Sequence, residues 1–251
     1  MTKIVALSDT HCYHLKMKIP EGDILIHGGD ALSYGTPEEF EAFIGWFDSQ
    51  PFNDLIYVPG NHDWFVYHNQ DSCREVLKKR GITLLIDEGI TINGLKIWGT
   101  PYTPEFCGWA FMRQDHEAES LDGEEGLGKY FDQIPAGIDV LVSHGPPYGF
   151  LDKAPSAPHV GSRELLKAIE RVKPRLVLVG HIHEGRKQGD GEGNEYICGD
   201  DGKIIHLANI SVLDGRYRAV HTVRTFEVSA EGSQTPSGTS ENPPVGETSG
   251  V

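Results

Sequence analysis

The strongest constraint on this chain is a repeated pattern in which a short apolar run ends in a turn of metal-binding side chains. Five such turns follow one another along the 251 residues. In chain order they read Ser8-Asp9-Thr10-His11, His27-Gly28-Gly29-Asp30, Pro59-Gly60-Asn61-His62-Asp63, Ser143-His144-Gly145 and Gly180-His181-Ile182-His183. Because ligand sites in open α/β sheets gather at the carboxyl ends of strands, we expect the five turns to converge on one place.

The pattern between the turns predicts an α/β (α+β) fold. Thr36 and Glu39 form a capping box with proline at the first helical position, which predicts a helix over 37–49. Asn93-Gly94 between two apolar runs predicts a hairpin. Further helices are predicted at 72–80 and 162–172, and strands at 4–7, 24–27, 55–58, 82–86, 89–92, 95–98, 138–142, 176–179, 195–198, 203–208 and 219–228. This order favours a sandwich of two sheets flanked by helices.

Two segments lack such patterns. Residues 99–135 show no clean periodicity and are predicted to form a long functional loop with helical turns. The C-terminal segment is rich in Gly, Ser, Thr and Pro and has almost nothing to bury, so we expect it to be disordered. The predicted organisation is therefore one domain over residues 1–230 and a disordered tail over 231–251.

Composition narrows the classes of function. The chain carries 22 Lys and Arg against 37 Asp and Glu, a formal charge of −15, which argues against a surface that grips long nucleic acid. Its apolar runs are far too short for a membrane span, and the start of the chain does not resemble a secretory leader, so we expect a cytoplasmic protein. The four cysteines form no Cys-x-x-Cys pair, so a bound metal would need histidine and carboxylate ligands.

The five turns carry the ligand types of a two-metal site. Imidazole together with carboxylate favours Mn, Fe, Zn, Co or Ni over Ca or Mg. Two such ions about 3.5–4 Å apart activate a shared hydroxide and clamp a phosphoryl group, and Asp30 has two oxygens with which to bridge them. Each turn alone is weak evidence, since Gly-Gly-Asp is commonly just a turn. Their joint occurrence, each directly after an apolar run, favours a metal centre.

These motifs resemble those of the calcineurin-like metallophosphoesterase superfamily, over about residues 3–228. Within it the chain is most similar to the small metallophosphoesterase-domain (MPPED-type) class III phosphodiesterases, over the stretches 8–11, 22–30, 99–111, 143–150 and 160–185. The resemblance implies a four-layer αββα sandwich of two mixed β-sheets flanked by helices. It also implies two divalent transition-metal ions as cofactors, with manganese favoured.

The resemblance assigns a role to each motif residue. It implies a first metal held by Asp9, His11, Asp30 and His183, and a second held by Asp30, Asn61, His144 and His181. It implies two catalytic residues: His62 would contact the phosphate and stabilise or protonate the leaving oxygen, and Asp63 would orient His62. Some animal relatives have glycine where this chain has His181, so we expect an active enzyme here.

The residues after the second and third turns bear on the substrate. Asp30-Ala31-Leu32 and Asp63-Trp64-Phe65 lack the arginines with which related phosphatases hold a dianionic monoester, which tilts the prediction toward monoanionic diesters. The predicted function is hydrolysis of small phosphodiesters by attack of a metal-bridging hydroxide, on cyclic nucleotides such as 2′,3′- or 3′,5′-cAMP and on aryl diesters. A nucleotide or metabolite phosphomonoesterase and a non-catalytic metal- or nucleotide-binding scaffold stay open.

The expected partner is a small nucleotide or phosphodiester, with no long nucleic acid and no membrane, while the oligomeric state is left open. Asn61, His62, Tyr102 and Trp109 are the candidate substrate contacts. Tyr102 and Trp109 lie in the irregular segment that should border the site, where an aromatic ring could stack on a base. The alternative, that both cover the edge of the sandwich as core, has equal support.

Overall fold

The computed structural model describes residues 1–116, 125–198 and 201–230. Two large mixed β-sheets pack face to face, and helices cover their outer surfaces, as the sequence predicts. The predicted disordered tail over 231–251 lies outside the described residues. The overall fold prediction is therefore confirmed, while the tail stays a prediction.

The strands and helices have the following bounds. The strands are β1 (Thr2–Leu7), β2 (Ile24–His27), β3 (Asp54–Tyr57), β4 (Ile82–Leu84), β5 (Glu88–Ile92), β6 (Leu95–Thr100), β7 (Thr103–Pro104), β8 (Met112–Arg113), β9 (Val140–Ser143), β10 (Leu176–Val179), β11 (Asn194–Cys198), β12 (Ile204–Asn209) and β13 (Arg224–Val228). The α-helices are α1 (Pro37–Phe47), α2 (Trp64–His68), α3 (Gln70–Lys79), α4 (Leu127–Phe131) and α5 (Arg163–Val172). Short 3₁₀ helices cover His14–Lys16 and His183–Lys187.

The two sheets place their central strands in parallel. The first sheet has the order β13-β1-β2-β3-β4, and the second has the order β11-β12-β10-β9-β6-β5. In the first sheet only β13 runs antiparallel to its neighbour, and in the second the two edge strands β11 and β5 do so. Past β1 and β12, a parallel bridge between Ser8 and Ser211 joins the two sheets. The carboxyl ends of parallel strands thus meet at one edge of the sandwich.

Alternating side chains divide the strands between two cores. One set lies between the sheets and consists of residues such as Ile4, Ile26, Val142 and Leu178, all fully buried. The other set faces outward and packs under the helices, where α1 contributes Phe40, Phe43 and Phe47 and α5 contributes Leu165 and Ile169. Burying a side chain of this size contributes about 1.5–3 kcal/mol. Sheets buried on both faces give the turns at their edge a rigid base.

The local signals that rest on turn chemistry are confirmed. Glu39 N donates to Thr36 Oγ1 at 3.2 Å, which is the predicted capping box at the start of α1. Asn93 and Gly94 both have positive φ, 52° and 79°, as the hairpin between β5 and β6 requires.

Boundaries of other elements are less accurate. The predicted strand at 219–228 begins only at Arg224, and the segment 99–135, predicted as a loop, contains the small strands β7 and β8 and the helix α4.

Candidate metal centre and active site

The five turns meet at one edge of the sandwich. Three groups of side chains each bring one ligand atom per residue within 4.8 Å of one another. The groups are Asp9, His11 and His183; His11, Asp30 and His62; and Asp30, His144 and His181. His181 N also donates to Asp9 Oδ1 at 3.0 Å, across a separation of 172 residues in the sequence. The structure thus brings together the residues that the motifs single out.

The backbone of these turns is strained. Asp9, His11, Asp30 and His181 have φ values of 55°, 39°, 53° and 63°, although none is glycine. Such conformations cost about 1–3 kcal/mol each and persist only where the surrounding structure determines them. Their clustering at one edge is typical of a functional site rather than of a structural corner.

Glycines in the turns allow close approach of the backbone to the carboxylates. A Cβ on Gly60 would lie 2.4 Å from Asp30 Oδ1, and one on Gly180 would lie 2.5 Å from Asp9 Oδ2. Both distances are shorter than any real contact, so a side chain at either position would displace a carboxylate. Packing against Asp30 and Asp9 therefore requires glycine at positions 60 and 180.

Asp30 lies between two sets of histidines. Its Oδ1 is 3.3 Å from His144 Nε2, and its Oδ2 is 3.6 Å from His11 Nε2. His62 N also donates to Oδ1 at 2.8 Å. Burial by itself raises the pKa of the Asp30 carboxyl, but the positive charge of His144 and its hydrogen bond hold that pKa well below its usual range. Asp30 is therefore a buried carboxylate anion with one oxygen toward each set.

Asp9 and His183 form the core of the first set. Asp9 Oδ1 is 3.4 Å from His183 Nε2, and Asp9 Oδ2 accepts from Ser211 Oγ at 2.7 Å and from Ser8 Oγ. The opposite ring nitrogen, His183 Nδ1, donates to Asp214 O at 3.1 Å. Burial lowers the pKa of His183, but the hydrogen bond to Asp9 and the charges of Asp9 and Asp30 together outweigh this and raise the pKa to about 9. The same pair keeps the pKa of Asp9 below its usual range despite full burial.

His144 anchors the second set. Its ring is fully buried, with Nδ1 3.0 Å from Gly28 O and Nε2 3.0 Å from Asn61 Oδ1. Burial lowers its pKa, but the Asp30 carboxylate raises the pKa to about 9. The His181 ring lies 5.2 Å away, and burial together with the charge of His144 lowers the pKa of His181 to about 4. The pKa values of the two histidines are thus shifted in opposite directions.

His11 shows that the pocket fits metal ions. Both of its ring nitrogens are buried with no hydrogen-bond partner among the residues that the structure describes. Leaving buried polar atoms unpaired costs about 1–3 kcal/mol each. Burial lowers the pKa of His11 to about 4, so the ring is neutral, which is the form that binds metals. Imidazole and carboxylate donors of this kind suit divalent transition-metal ions.

His62 is oriented by a backbone carbonyl. Its Nδ1 donates to Ser33 O at 2.7 Å, so Nε2 is the ring atom free to exchange a proton. Its ring lies edge-on to His11, with centroids 4.6 Å apart, and stacks on Trp109 at 4.2 Å. Three neighbours therefore hold the His62 ring in one plane. Ser33 was not predicted, because a carbonyl oxygen leaves no signal in the sequence.

The expectation that Asp63 orients His62 is wrong. Asp63 is fully buried, and its two carboxylate oxygens accept from Leu32 N at 3.0 Å and from Gly60 N at 2.7 Å. Burial and the nearby Asp30 charge raise the pKa of Asp63 to about 6. Its hydrogen bonds fasten the third turn to the segment after β2. Asp63 therefore supports the turn that carries His62, but it does not contact the imidazole.

The two aromatic candidates for substrate contact differ. Trp109 lies at the site, stacked on His62. Tyr102 is only 7% exposed and stacks on Tyr130 at 3.8 Å, within the outer core, so the expectation that it contacts substrate is wrong. Tyr217 takes a place at the site that no motif predicted, with its ring 5.0 Å from His11 and 5.1 Å from His183.

Comparison with known proteins decides the family. The family model for calcineurin-like phosphoesterases matches residues 2–185, a range that contains all five turns. The chain belongs to the calcineurin-like phosphoesterase family. Its resemblance to that family, inferred above from the motifs, is thereby confirmed. The family binds divalent metals, which agrees with the donor sets on either side of Asp30.

Several curated proteins are similar to this calcineurin-like phosphoesterase. Metallophosphoesterase domain-containing protein 1 of Homo sapiens is 34% identical over 209 residues, which covers 73% of this chain and 61% of that protein. UPF0046 protein K07C11.7 of Caenorhabditis elegans is 33% identical over 194 residues, covering 72% of this chain and 63% of that protein. The chain therefore spans about three fifths of the length of these relatives.

A solved crystal structure has the same fold. It superposes with a TM-score of 0.57 at 17% sequence identity, covering 91% of this chain and 99% of its own. At that identity the likeness concerns the fold and not the activity. Among the described residues, none of the helices has the length and apolarity that crossing a bilayer requires.

Proposed function

We propose that this calcineurin-like phosphoesterase hydrolyses small phosphodiesters with two divalent metal ions, one on each side of Asp30. The observation that supports this most directly is the position of the Asp30 carboxylate. Its two oxygens face His144 Nε2 at 3.3 Å and His11 Nε2 at 3.6 Å, in two separate donor sets. A carboxylate shared in this way is the usual core of a two-metal hydrolase.

The two ions would share Asp30 and otherwise use separate ligands. In our proposal Asp9, His11, Asp30 and His183 hold the first ion, and Asp30, Asn61, His144 and His181 hold the second. Histidine and carboxylate donors favour Mn, Fe, Zn, Co or Ni, of which we favour manganese. When bound, the ions supply an activated water nucleophile and neutralise charge on the phosphoryl group.

His62 is the residue that we assign to the leaving group. Because Nδ1 donates its hydrogen to Ser33 O, it is from Nε2, in the ring that carries both protons, that a proton would pass to the departing oxygen. The His62 amide donates to Asp30 Oδ1, which ties the acid to the shared carboxylate. Trp109 stacks on the ring and prevents it from turning away. In our proposal Asn61 and His62 contact the phosphate, as the motifs predict.

Positive charge beside the site bears on the choice between a diester and a monoester. The cavity beside His183 contains two guanidinium groups, those of Arg216 and Arg218. Arg218 is already engaged in an ion pair with Asp214 at 2.5 Å. Arg216, exposed in the same cavity, is the observation that favours the second candidate function, a phosphomonoesterase. A monoanionic diester needs less positive charge than a dianionic monoester does.

The test is turnover by metal-reconstituted protein of bis(4-nitrophenyl) phosphate, 4-nitrophenyl phosphate and a panel of 2′,3′- and 3′,5′-cyclic nucleotides. We expect kcat/KM for the diester to exceed that for the monoester at least about tenfold, and to vanish with a chelator. A preference for the monoester that Arg216→Ala removes would establish the second candidate. Two bound ions without turnover of any ester would leave a binding scaffold instead.

A further inference from the structure

Three exposed tyrosines surround a cavity that opens beside His62. The cavity has a volume of about 490 Å³, and its walls include His11, His62, Tyr13, Tyr34 and Tyr217. The tyrosines are 39%, 81% and 50% exposed, in that order. A volume of this size is within the range of small-molecule sites, about 300–1,000 Å³. Exposed aromatic side chains grouped on one concave surface are typical of ligand binding.

Tyr217 is held in position by the turn that also supports His183. Its amide donates at 2.8 Å to Asp214 O, the same carbonyl that accepts from His183 Nδ1. The Asp214 carboxylate in turn accepts from the amides of Arg216 and Arg218, each at 3.0 Å. The Tyr217 backbone has a φ of 57°, which this hydrogen-bonded turn maintains. The ring of Tyr217 is therefore presented to the cavity before any ligand arrives.

The backbone of Tyr34, which also lines the cavity, is held by the start of α1. Its amide donates to Glu39 Oε2 at 2.9 Å, and the amides of Ser33 and Gly35 donate to the same oxygen. The preceding carbonyl, Ser33 O, accepts from His62 Nδ1. One short segment thus orients the proposed proton donor and presents an exposed ring beside it. The Tyr34 ring does not pack in the core, since 81% of the residue is exposed.

The position of the cavity indicates which part of a substrate it would hold. If His62 Nε2 protonates the leaving oxygen, the leaving group departs on the side where His62 lines the cavity. A group leaving there would enter the cavity that Tyr34 and Tyr217 line. Aromatic side chains stack on planar rings and do so with little sequence or substituent preference. The cavity therefore suits a planar ring attached to the leaving oxygen.

We propose that this tyrosine cavity binds the aromatic ring of the leaving group, so that the substrates are phosphodiesters of an aryl alcohol or a nucleoside. This deepens the proposed function and rests on it, because His62 defines the side on which the leaving group lies. The cavity contributes to the binding of the ring, and the hydrolytic step is the one proposed above. A planar ring is common to aryl esters and nucleosides, and the test distinguishes between these two sources of the ring.

The first arm of the test measures kinetics of Tyr34→Ala, Tyr34→Phe and Tyr196→Ala with bis(4-nitrophenyl) phosphate. Tyr196 is a matched control, since it is 58% exposed on β11 and stacks on His206 instead of lining the cavity. We expect Tyr34→Ala to raise KM about tenfold with kcat changed less than threefold. Tyr34→Phe keeps the ring and should restore KM, and Tyr196→Ala should match the unaltered protein. An unchanged KM in Tyr34→Ala would overturn the proposal.

The second arm measures binding by calorimetry to manganese-loaded protein, with no turnover required. The ligands are phenylphosphonate against cyclohexylphosphonate, and adenosine 5′-phosphate against ribose 5-phosphate. If adenosine 5′-phosphate binds more tightly than ribose 5-phosphate and Tyr34→Ala removes the difference, the ring is a nucleobase. If only phenylphosphonate binds more tightly than its cyclohexyl counterpart, the ring is that of an aryl ester. Preference in neither pair overturns the proposal. If no diester is hydrolysed, the proposed function fails, while this arm still decides whether the cavity binds rings.

Discussion

The two donor sets on either side of Asp30 differ in how completely the protein supports them. In the second set, both ring nitrogens of His144 are hydrogen-bonded, to Gly28 O and to Asn61 Oδ1. In the first set, neither ring nitrogen of His11 has a hydrogen-bond partner among the described residues. Both rings are buried. The protein's own groups therefore satisfy the hydrogen-bonding capacity of His144 in the second set. In the first set, the ring nitrogens of His11 would be satisfied only by a further group.

This difference indicates a division of labour within one centre. His11 contacts the rings of His62 and Tyr217, so the less supported set is also the one that faces the proposed leaving-group cavity. His144 lies on the buried side, beneath the glycine turn after β2. We infer that the second set holds Asp30 in a fixed position without metal, and that the first set is completed only when an ion binds. Four measurements test this comparison, in order of decreasing effect.

The largest effect is expected at the residue that the two sets share. Asp30→Asn keeps the volume but removes the charge that faces both His11 and His144. We expect metal content to fall below one ion per chain and kcat/KM for a diester to fall about 10³-fold or more. Elemental analysis and steady-state kinetics measure both quantities. Two retained ions with normal turnover would show that Asp30 does not connect the sets.

A smaller effect is expected for His62, which contacts the first set without belonging to our proposed ligands. His62→Ala should lower kcat about 10²–10⁴-fold, the range of general acid catalysis, while both ions are retained. Trp109→Leu removes the stacked ring and should lower kcat less, because the hydrogen bond to Ser33 remains. Loss of an ion in His62→Ala would instead make His62 a ligand of the first set.

The comparison itself is tested by stability in the presence of a chelator. His144→Ala removes a fully buried ring and two hydrogen bonds, so the free energy of unfolding should fall by about 2–4 kcal/mol. His11→Ala removes a ring whose nitrogens are unpaired, and should cost about 1 kcal/mol or less. Urea unfolding of the two variants measures the difference. Equal losses would contradict the idea that only the second set is built by the protein.

The smallest effect concerns a carboxylate without the histidines that surround Asp30. Burial raises the pKa of Asp87 to about 7, aided by the Glu88 charge and opposed by the Thr100 hydroxyl, and the Tyr102 ring is also nearby. Because this pKa lies above the unfolded value, the stability that Asp87 contributes at low pH is lost as pH rises to about 7. Asp87→Asn should therefore gain roughly 1–2 kcal/mol over the unaltered protein at pH 8 and little at pH 5.

Urea unfolding at the two pH values measures this gain, and Asp132→Asn, an exposed carboxylate beside α4, is the control. A gain that is equal at both pH values would show that Asp87 acts through packing and not through its charge. The contrast between the raised pKa of Asp87 and the lowered pKa of Asp30 would then not hold. Asp30 keeps a low pKa although it is more deeply buried than Asp87, because His144, and less strongly His11 and His62, face its carboxylate.

Much of the site was predictable because its residues are tied to strand ends. Asp9, Asp30 and His144 each follow a buried strand within a few residues, and the parallel order of those strands brings the ends together. The capping box at Thr36 was equally readable, since its hydrogen bonds are local. Such signals depend on residues close together in the chain, because turns and helix starts form from local hydrogen bonds.

Predictions failed where the partner comes from elsewhere in the chain. Asp63 was expected to orient His62, its immediate neighbour, but the imidazole turns to Ser33 O, 29 residues away in sequence. Tyr102 and Trp109 have similar sequence surroundings, yet one ring is buried against Tyr130 and the other lies on His62. Which face of a segment meets the core depends on packing that local periodicity does not encode.

Strand periodicity and short motifs were enough to predict the family, the two-sheet architecture and the set of metal-type side chains. The tertiary structure was needed to show which atom orients His62, which aromatic rings reach the site, and that His144 is hydrogen-bonded while His11 has no partner among the described residues. The physical reason is range. Strands, turns and caps form from contacts within a few residues, whereas the orientation of a buried ring is set by hydrogen bonds and packing between segments far apart in the chain.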